Sequence, residues 1–101
     1  MPKKPLETLS EAMFYVLMAL RQEERCGVEI AQFAEERSRG AVRIGPGTLY
    51  AILAKFLEED LIEERTAEGR RRSYRLTEAG AKLYEMELQR LKRCIADAEE
   101  G

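Results

Sequence analysis

Between Gly45 and Leu76 the hydrophobic period of the chain changes once, and that change restricts the fold more than any other feature. Gly45-Pro46-Gly47-Thr48 places proline where a helix can begin, because the N–H that proline lacks would have no intrahelical partner there. Leu49, Ile52, Leu53, Phe56 and Leu57 follow at i, i+3, i+4, i+7 and i+8, one apolar helical face that ends near Asp60. The opposite face offers Gly47, Thr48, Ala51, Ala54 and Lys55, all small or polar. From Leu61 the pattern becomes strand-like: Leu61 to Thr66 and Arg72 to Leu76 flank a turn at Ala67-Glu68-Gly69-Arg70, with Gly69 able to supply a positive φ. A helix followed directly by a hairpin admits few small folds.

The remaining segments extend this pattern. A first helix is expected after Thr8 or Ser10, with Glu11 favouring its positive end. Its residues Met13, Val16, Leu17 and Leu20 share one face, yet Phe14, Tyr15 and Met18 make it apolar nearly all round, so it buries a second side as well. Gln22 to Cys26 reads as a charged connector. A second helix runs from Gly27 to about Arg37, with Val28, Ile30, Ala31, Phe33 and Ala34 on its apolar side. Ser38 to Gly45 is a loop in which Ala41-Val42-Arg43-Ile44 alternates like a short strand. Thr77 caps a last helix in which Tyr84, Leu88, Leu91, Ile95 and Ala98 recur at heptad spacing. Twenty residues of it make a rod of roughly 30 Å, longer than so small a core can cover. The expected class is mainly α (α+β), a winged helix-turn-helix with a long C-terminal helix. Its expected division is a DNA-binding domain over 1–76 and a dimerisation helix over 77–101 that packs with the first helix.

Composition excludes several functions. With 101 residues the chain supports one modest core. It has no His, which removes the commonest general base and the commonest metal ligand. Cys26 and Cys94 alone cannot build a four-thiolate metal site, and they read as small hydrophobes. Glu58-Glu59 and Glu63-Glu64 have no base or metal set beside them and read as solvated surface. No catalytic residue, metal site or cofactor is therefore expected. The longest apolar run, Ala12 to Leu20, has nine residues, about half of what spans a bilayer. With no signal-peptide pattern and no disulfide framework, the expectation is a cytoplasmic protein with no membrane partner.

A net charge of −2, taken over the whole chain, argues against a nucleic-acid partner. The charge is unevenly spread, however. Residues 1–36 hold four basic and seven acidic groups, residues 37–75 nine and six, and residues 76–101 four and six. The centre is therefore +3 between acidic flanks.

That centre is where a nucleic-acid contact is expected. Three helices with a hairpin after the third put the third helix in the major groove and the hairpin on the backbone. Small residues on the exposed face permit close approach: Ala51 and Ala54 can touch a thymine methyl, while Thr48 and Lys55 can reach bases or phosphates. Arg70, Arg71, Arg72 and Arg75 sit on the hairpin, suited to phosphates or the minor groove. Phe14, Met18, Tyr84, Leu88, Leu91 and Ile95 are the expected dimer interface. Phe14, Tyr15, Met18 and Met86 are the residues that can hold a small hydrophobic effector.

Three segments carry a family resemblance: Gly45-Pro46-Gly47-Thr48-Leu49-Tyr50, then Leu57 to Ile62 (LEEDLI), then Gly69 to Gly80 (GRRRSYRLTEAG). Together they resemble the PadR-like transcriptional regulators, in the short form with a single C-terminal helix. The resemblance extends from about Leu9 to the C-terminus. It implies a homodimeric repressor that binds double-stranded DNA at a pseudo-palindromic operator and can be released by a small aromatic or drug-like ligand. It also implies that Tyr50 lies near the DNA backbone, with Pro46 and Gly47 among the DNA-binding residues. The chain departs from the family at Asp60, where glycine is common, and at Cys26 and Val28, where aromatic residues or His often flank the position of Gly27. It has no Trp, so a tryptophan-built ligand sandwich is excluded. The alternative from another class is a winged-helix module that binds protein and no DNA; such a module has no need for three consecutive arginines.

Overall fold

Ser10 begins the first helix as a side-chain cap: its Oγ accepts the Met13 N–H at 3.1 Å, which satisfies one of the orphan amides of the first turn. A computed structural model describes residues 9–66 and 71–101. In chain order its elements are α1 (Glu11–Gln22), β1 (Arg25–Cys26), α2 (Gly27–Arg37), α3 (Pro46–Glu58), β2 (Ile62–Thr66), β3 (Arg72–Leu76) and α4 (Glu78–Glu100). Three helices and an antiparallel sheet of order β1-β3-β2 form a winged helix-turn-helix, and α4 extends from it.

The period change at Leu61 is built by a tight helix stop. The Leu61 N–H donates to the Phe56 carbonyl at 2.9 Å and the Asp60 N–H to that of Leu57 at 3.1 Å, a Schellman closure with Asp60 at φ 59°. The position where glycine is common in the family is thus left-handed here and is occupied by an aspartate. Helix α2 ends the same way: Gly40 donates to Glu35, Arg39 to Glu36, and Arg39 stands at φ 56°. Both helices of the helix-turn-helix thus stop on a non-glycine left-handed residue.

Two sequence expectations need correction. Ala41 to Ile44 forms no strand. Val42 and Ile44 are buried while Ala41 and Arg43 are exposed, so the alternation is real, but it records burial in the core rather than a ladder. The third strand is instead β1, within the segment expected to be a connector. Arg25 pairs with Tyr74 and Cys26 with Ser73, which occupies the free edge of β3. Arg25 also donates Nε to the Ala19 carbonyl at 3.0 Å and lies 4.7 Å above the Phe33 ring, with Arg37 4.6 Å from the same ring. Arg25 and Arg37 thus lay their guanidinium groups over the core at Phe33.

Val16, Leu17, Ile30, Leu53 and Phe56 are fully enclosed and mark the centre where α1, α2 and α3 meet. Phe14, Tyr15 and Met18 are half-buried on the other side of α1. Thr77 fastens α4 to the end of α3: its Oγ1 donates to the Asp60 carbonyl at 2.7 Å and accepts the Gly80 N–H at 3.1 Å, while its own N–H reaches the Leu61 carbonyl at 3.0 Å. Beyond Leu91 every residue of α4 is exposed.

Candidate nucleic-acid interface

Pro46 at the first position of α3, with the Leu49 N–H closing on the Gly45 carbonyl at 2.9 Å, fixes where the helix starts and so which side chains face out. Leu49, Ile52, Leu53 and Phe56 are buried, while Pro46, Gly47, Thr48, Tyr50, Ala51 and Ala54 are exposed. Tyr50 is 52% exposed. Lys55 is half-buried and bridges Glu58 at 3.7 Å and Glu59 at 3.6 Å. The exposed face of α3 is the one read from the sequence, and no bulky side chain other than Tyr50 stands on it.

The wing arms are held by ion pairs across the ladder. Glu63 pairs in register with Arg75, and the Arg75 Nε lies 3.1 Å from its carboxylate. The Arg72 Nε lies 3.4 Å from Glu64, and Arg65 Nη1 lies 3.5 Å from Glu24, whose other oxygen accepts from the Ser73 hydroxyl. Glu63 and Glu64 are therefore ladder partners rather than merely solvated surface. Such exposed pairs contribute little stability, and they leave the arginines free to exchange a carboxylate for another anion. Arg71 precedes β3 and points to α2: its Nη1 donates to Cys26 Sγ at 3.2 Å. Arg70, the remaining wing arginine of the sequence reading, lies outside the described residues.

Cys26 is buried at the N-cap of α2, where its N–H donates to the Glu29 carboxylate at 2.9 Å. That bond, followed by the nearby cations, holds the Glu29 carboxyl below its ordinary range. Gly27 follows. The Tyr50 side chain lies across it, so close that a Cβ at position 27 would stand 2.6 Å from the Tyr50 Oη. Cys26, Gly27, Val28, Tyr50, Arg71, Arg72 and Tyr74 surround an open hollow of about 390 Å³. The role of Gly27 was not visible in the sequence, because the contact joins residues on separate helices.

The residues expected between copies and around an effector occupy the α1–α4 side. Phe14 and Tyr84 stack on one another within the chain, centroids 5.2 Å apart. Leu88 and Leu91 are half-buried, and Ile95 is 57% exposed. Phe14, Tyr15 and Met18 line a hollow of about 380 Å³ with Leu9, Glu87, Arg90 and Leu91. Met86 does not join them: it is 64% exposed and faces a separate hollow with Leu83 and Arg93. At the α4 wall of the first hollow Arg90 grips Glu87 through two bonds of 2.8 Å, which hold the Glu87 carboxyl below its ordinary range. Of the two cysteines read as small hydrophobes, Cys26 is buried and Cys94 exposed.

The sequence model of the Transcriptional regulator PadR-like family matches residues 16–86, from the middle of α1 to the third turn of α4. The chain belongs to that family. Among solved structures this PadR-like chain is similar to a transcriptional regulator from Clostridium thermocellum, with TM-score 0.79 and 22% identity over 87% of this chain and 89% of the other. A PadR family transcription regulator from Clostridium difficile gives TM-score 0.71 and 24% identity over 91% and 100%. Bacillus subtilis PadR in complex with operator DNA gives 0.67 and 25% identity over 75% and 45%. A 37.1 kDa transposon protein of Streptomyces fradiae is 34% identical over 84 residues, 83% of this chain and 24% of that protein. The chain thus spans about a quarter of the length of that curated relative. The family is one of transcriptional regulators, not enzymes. Among the described residues no cluster able to hold a metal ion is present, and no helix is long and apolar enough to cross a membrane.

Proposed function

We propose that this PadR-like chain is a homodimeric, sequence-specific DNA-binding repressor. The observation that carries the reading is the outward face of α3: Gly47, Thr48 and Ala51 exposed beside Tyr50, with the wing arginines on the adjoining hairpin. In this reading α3 enters the major groove, where Thr48 and Ala51 meet base edges and Lys55 exchanges its Glu58 and Glu59 carboxylates for a base or a phosphate. Pro46, Gly47 and Tyr50 lie against the backbone, and Arg70, Arg71, Arg72 and Arg75 meet phosphates or the minor groove. Residues 1–76 form the reading domain. The α4 seam of Leu88, Leu91 and Ile95, together with Phe14, Met18 and Tyr84, packs against a second copy. The likeness to a PadR bound to operator DNA supports the DNA contact. The length of α4 beyond its own domain supports the dimer. The hollow between Phe14, Tyr15 and Met18 suits a small aromatic or drug-like effector whose binding shifts the two reading heads.

Selection of duplexes from a randomised pool, followed by a mobility shift, tests this. The expected product is a pseudo-palindrome with half-site centres about one helical turn, roughly 34 Å, apart. A chain that enriches no sequence is a winged-helix protein-interaction module instead.

A further inference from the structure

The β1–α2 junction lies between the two elements that would meet DNA, and it touches one functional side chain from each. Cys26 Sγ receives the Arg71 guanidinium at 3.2 Å, and Gly27, the next residue, lies beneath Tyr50. Gly27 is buried, and its φ is not in the left-handed region, so nothing in its backbone conformation demands glycine. What demands it is space. A Cβ there would stand 2.6 Å from Tyr50 Oη, 3.1 Å from Tyr50 Cζ and 3.4 Å from Leu49 Cδ2. The two closest atoms are the far end of a half-exposed ring that can swing outward, so the cost of a methyl falls on the direction of Tyr50 rather than on the core.

We propose that Gly27 is a positioning residue for operator recognition. By leaving room for the Tyr50 ring across the first turn of α2, it seats that ring in the wall of the hollow that Arg71 and Arg72 also line, where all three can meet one stretch of the DNA backbone. This inference rests on the DNA-binding reading above. It adds that the register between recognition helix and wing is set from α2 by a residue that itself offers DNA no side chain. Any Cβ turns Tyr50 out of that register, while the helix gains from the replacement of glycine at an ordinary helical φ. Affinity and stability therefore move in opposite directions, which a purely structural role does not produce.

The test uses the full chain and duplexes that the unsubstituted protein selects from a randomised pool. Gly27→Ala is expected to melt no lower than the unsubstituted chain and to bind the selected duplex about tenfold more weakly, as for a lost hydrogen bond to a charged group. Tyr50→Phe, which keeps the ring and removes the hydroxyl, is expected to weaken binding by a similar factor. In the Tyr50→Leu background, where no ring crosses position 27, Gly27→Ala is expected to cost no further affinity. Undiminished binding by Gly27→Ala, or a full additional loss in the Tyr50→Leu background, overturns the role. So does a Gly27→Ala chain that fails to fold, since Gly27 is then a packing residue. If the unsubstituted protein selects no duplex, the DNA-binding reading itself fails and the role falls with it; selection by that protein with equal binding by Gly27→Ala defeats the role alone.

Discussion

Phe14 of α1 and Tyr84 of α4 lie face to face, ring centroids 5.2 Å apart and planes 15° from parallel, and this stack fastens the long helix to the winged domain. The sequence assigns both rings to an interface between copies. In the structure each has its first partner within the same chain, and both remain half-buried with area left for another surface. Phe14→Ala removes the stack and opens the α1–α4 contact. Urea unfolding at one protein concentration is expected to show a loss of about 2 kcal/mol, whereas Phe14→Leu loses about half of that. Equal stability for Phe14→Ala contradicts the fastening.

Gly80 allows α4 to start where it does. A Cβ at this position would overlap the Leu61 carbonyl oxygen and lie 3.0 Å from the carbonyl carbon. That carbonyl cannot turn away, because it accepts the Thr77 N–H at 3.0 Å. Gly80→Ala is expected to cost about 3 kcal/mol or more, a large fall in melting temperature seen by circular dichroism. This is the opposite of the outcome expected at Gly27, where the obstructing atoms belong to a side chain that can move.

How far the fold could be read from the sequence depended on whether a residue's partner lay near it in the chain. Pro46 with the 49-52-53-56-57 stripe, Thr77 before α4 and the Arg72–Leu76 strand are local patterns and stand where they were read, while the strand read from Leu61 begins at Ile62 because Leu61 closes the end of α3. Val42 and Ile44 alternate like a strand but have no ladder partner, since β1 already occupies the edge of β3. Residues Arg25 and Cys26 carry no period in so short a run and were legible only through Tyr74 and Ser73. At the candidate site Gly47, Thr48, Ala51 and Ala54 are exposed as read, whereas Lys55 of the same reading is half-buried between Glu58 and Glu59 and the exposed Tyr50 was not part of that face. The Gly27–Tyr50 approach, the Arg71–Cys26 bond and the separation of Met86 from Phe14 each depend on how elements pack.

Asp60 bears a left-handed strain that glycine would not. At φ 59° its side chain crowds its own backbone, while the bonds that define the turn are made by main-chain groups and survive substitution. Asp60→Gly is expected to raise stability by up to about 1 kcal/mol, the relief exceeding the added freedom of the unfolded chain. Asp60→Val, branched at Cβ, is expected to lose about as much. Thermal melts of the two variants beside the unsubstituted chain check the sign of each.

Leu91 lies in the α4 seam where the helix leaves its own domain, half-buried, with only exposed residues beyond it. A carboxylate at this point cannot be buried against a second copy without a partner charge. Leu91→Asp is expected to weaken self-association about a hundredfold or more, read by sedimentation velocity across a dilution series. A variant that sediments as the unsubstituted protein does rules out this seam as the dimer contact.

The central claim is that a chain of net charge −2 reads DNA through a local basic head. The most direct measurement is the salt dependence of binding to a selected duplex, for the unsubstituted protein and for the combined Arg70→Ala, Arg71→Ala and Arg72→Ala variant. The logarithm of affinity is expected to fall linearly with the logarithm of salt concentration. The variant's slope should be shallower by about 0.9 for each phosphate contact removed, with weaker binding to every sequence. An unchanged slope and affinity in the triple variant would contradict the account.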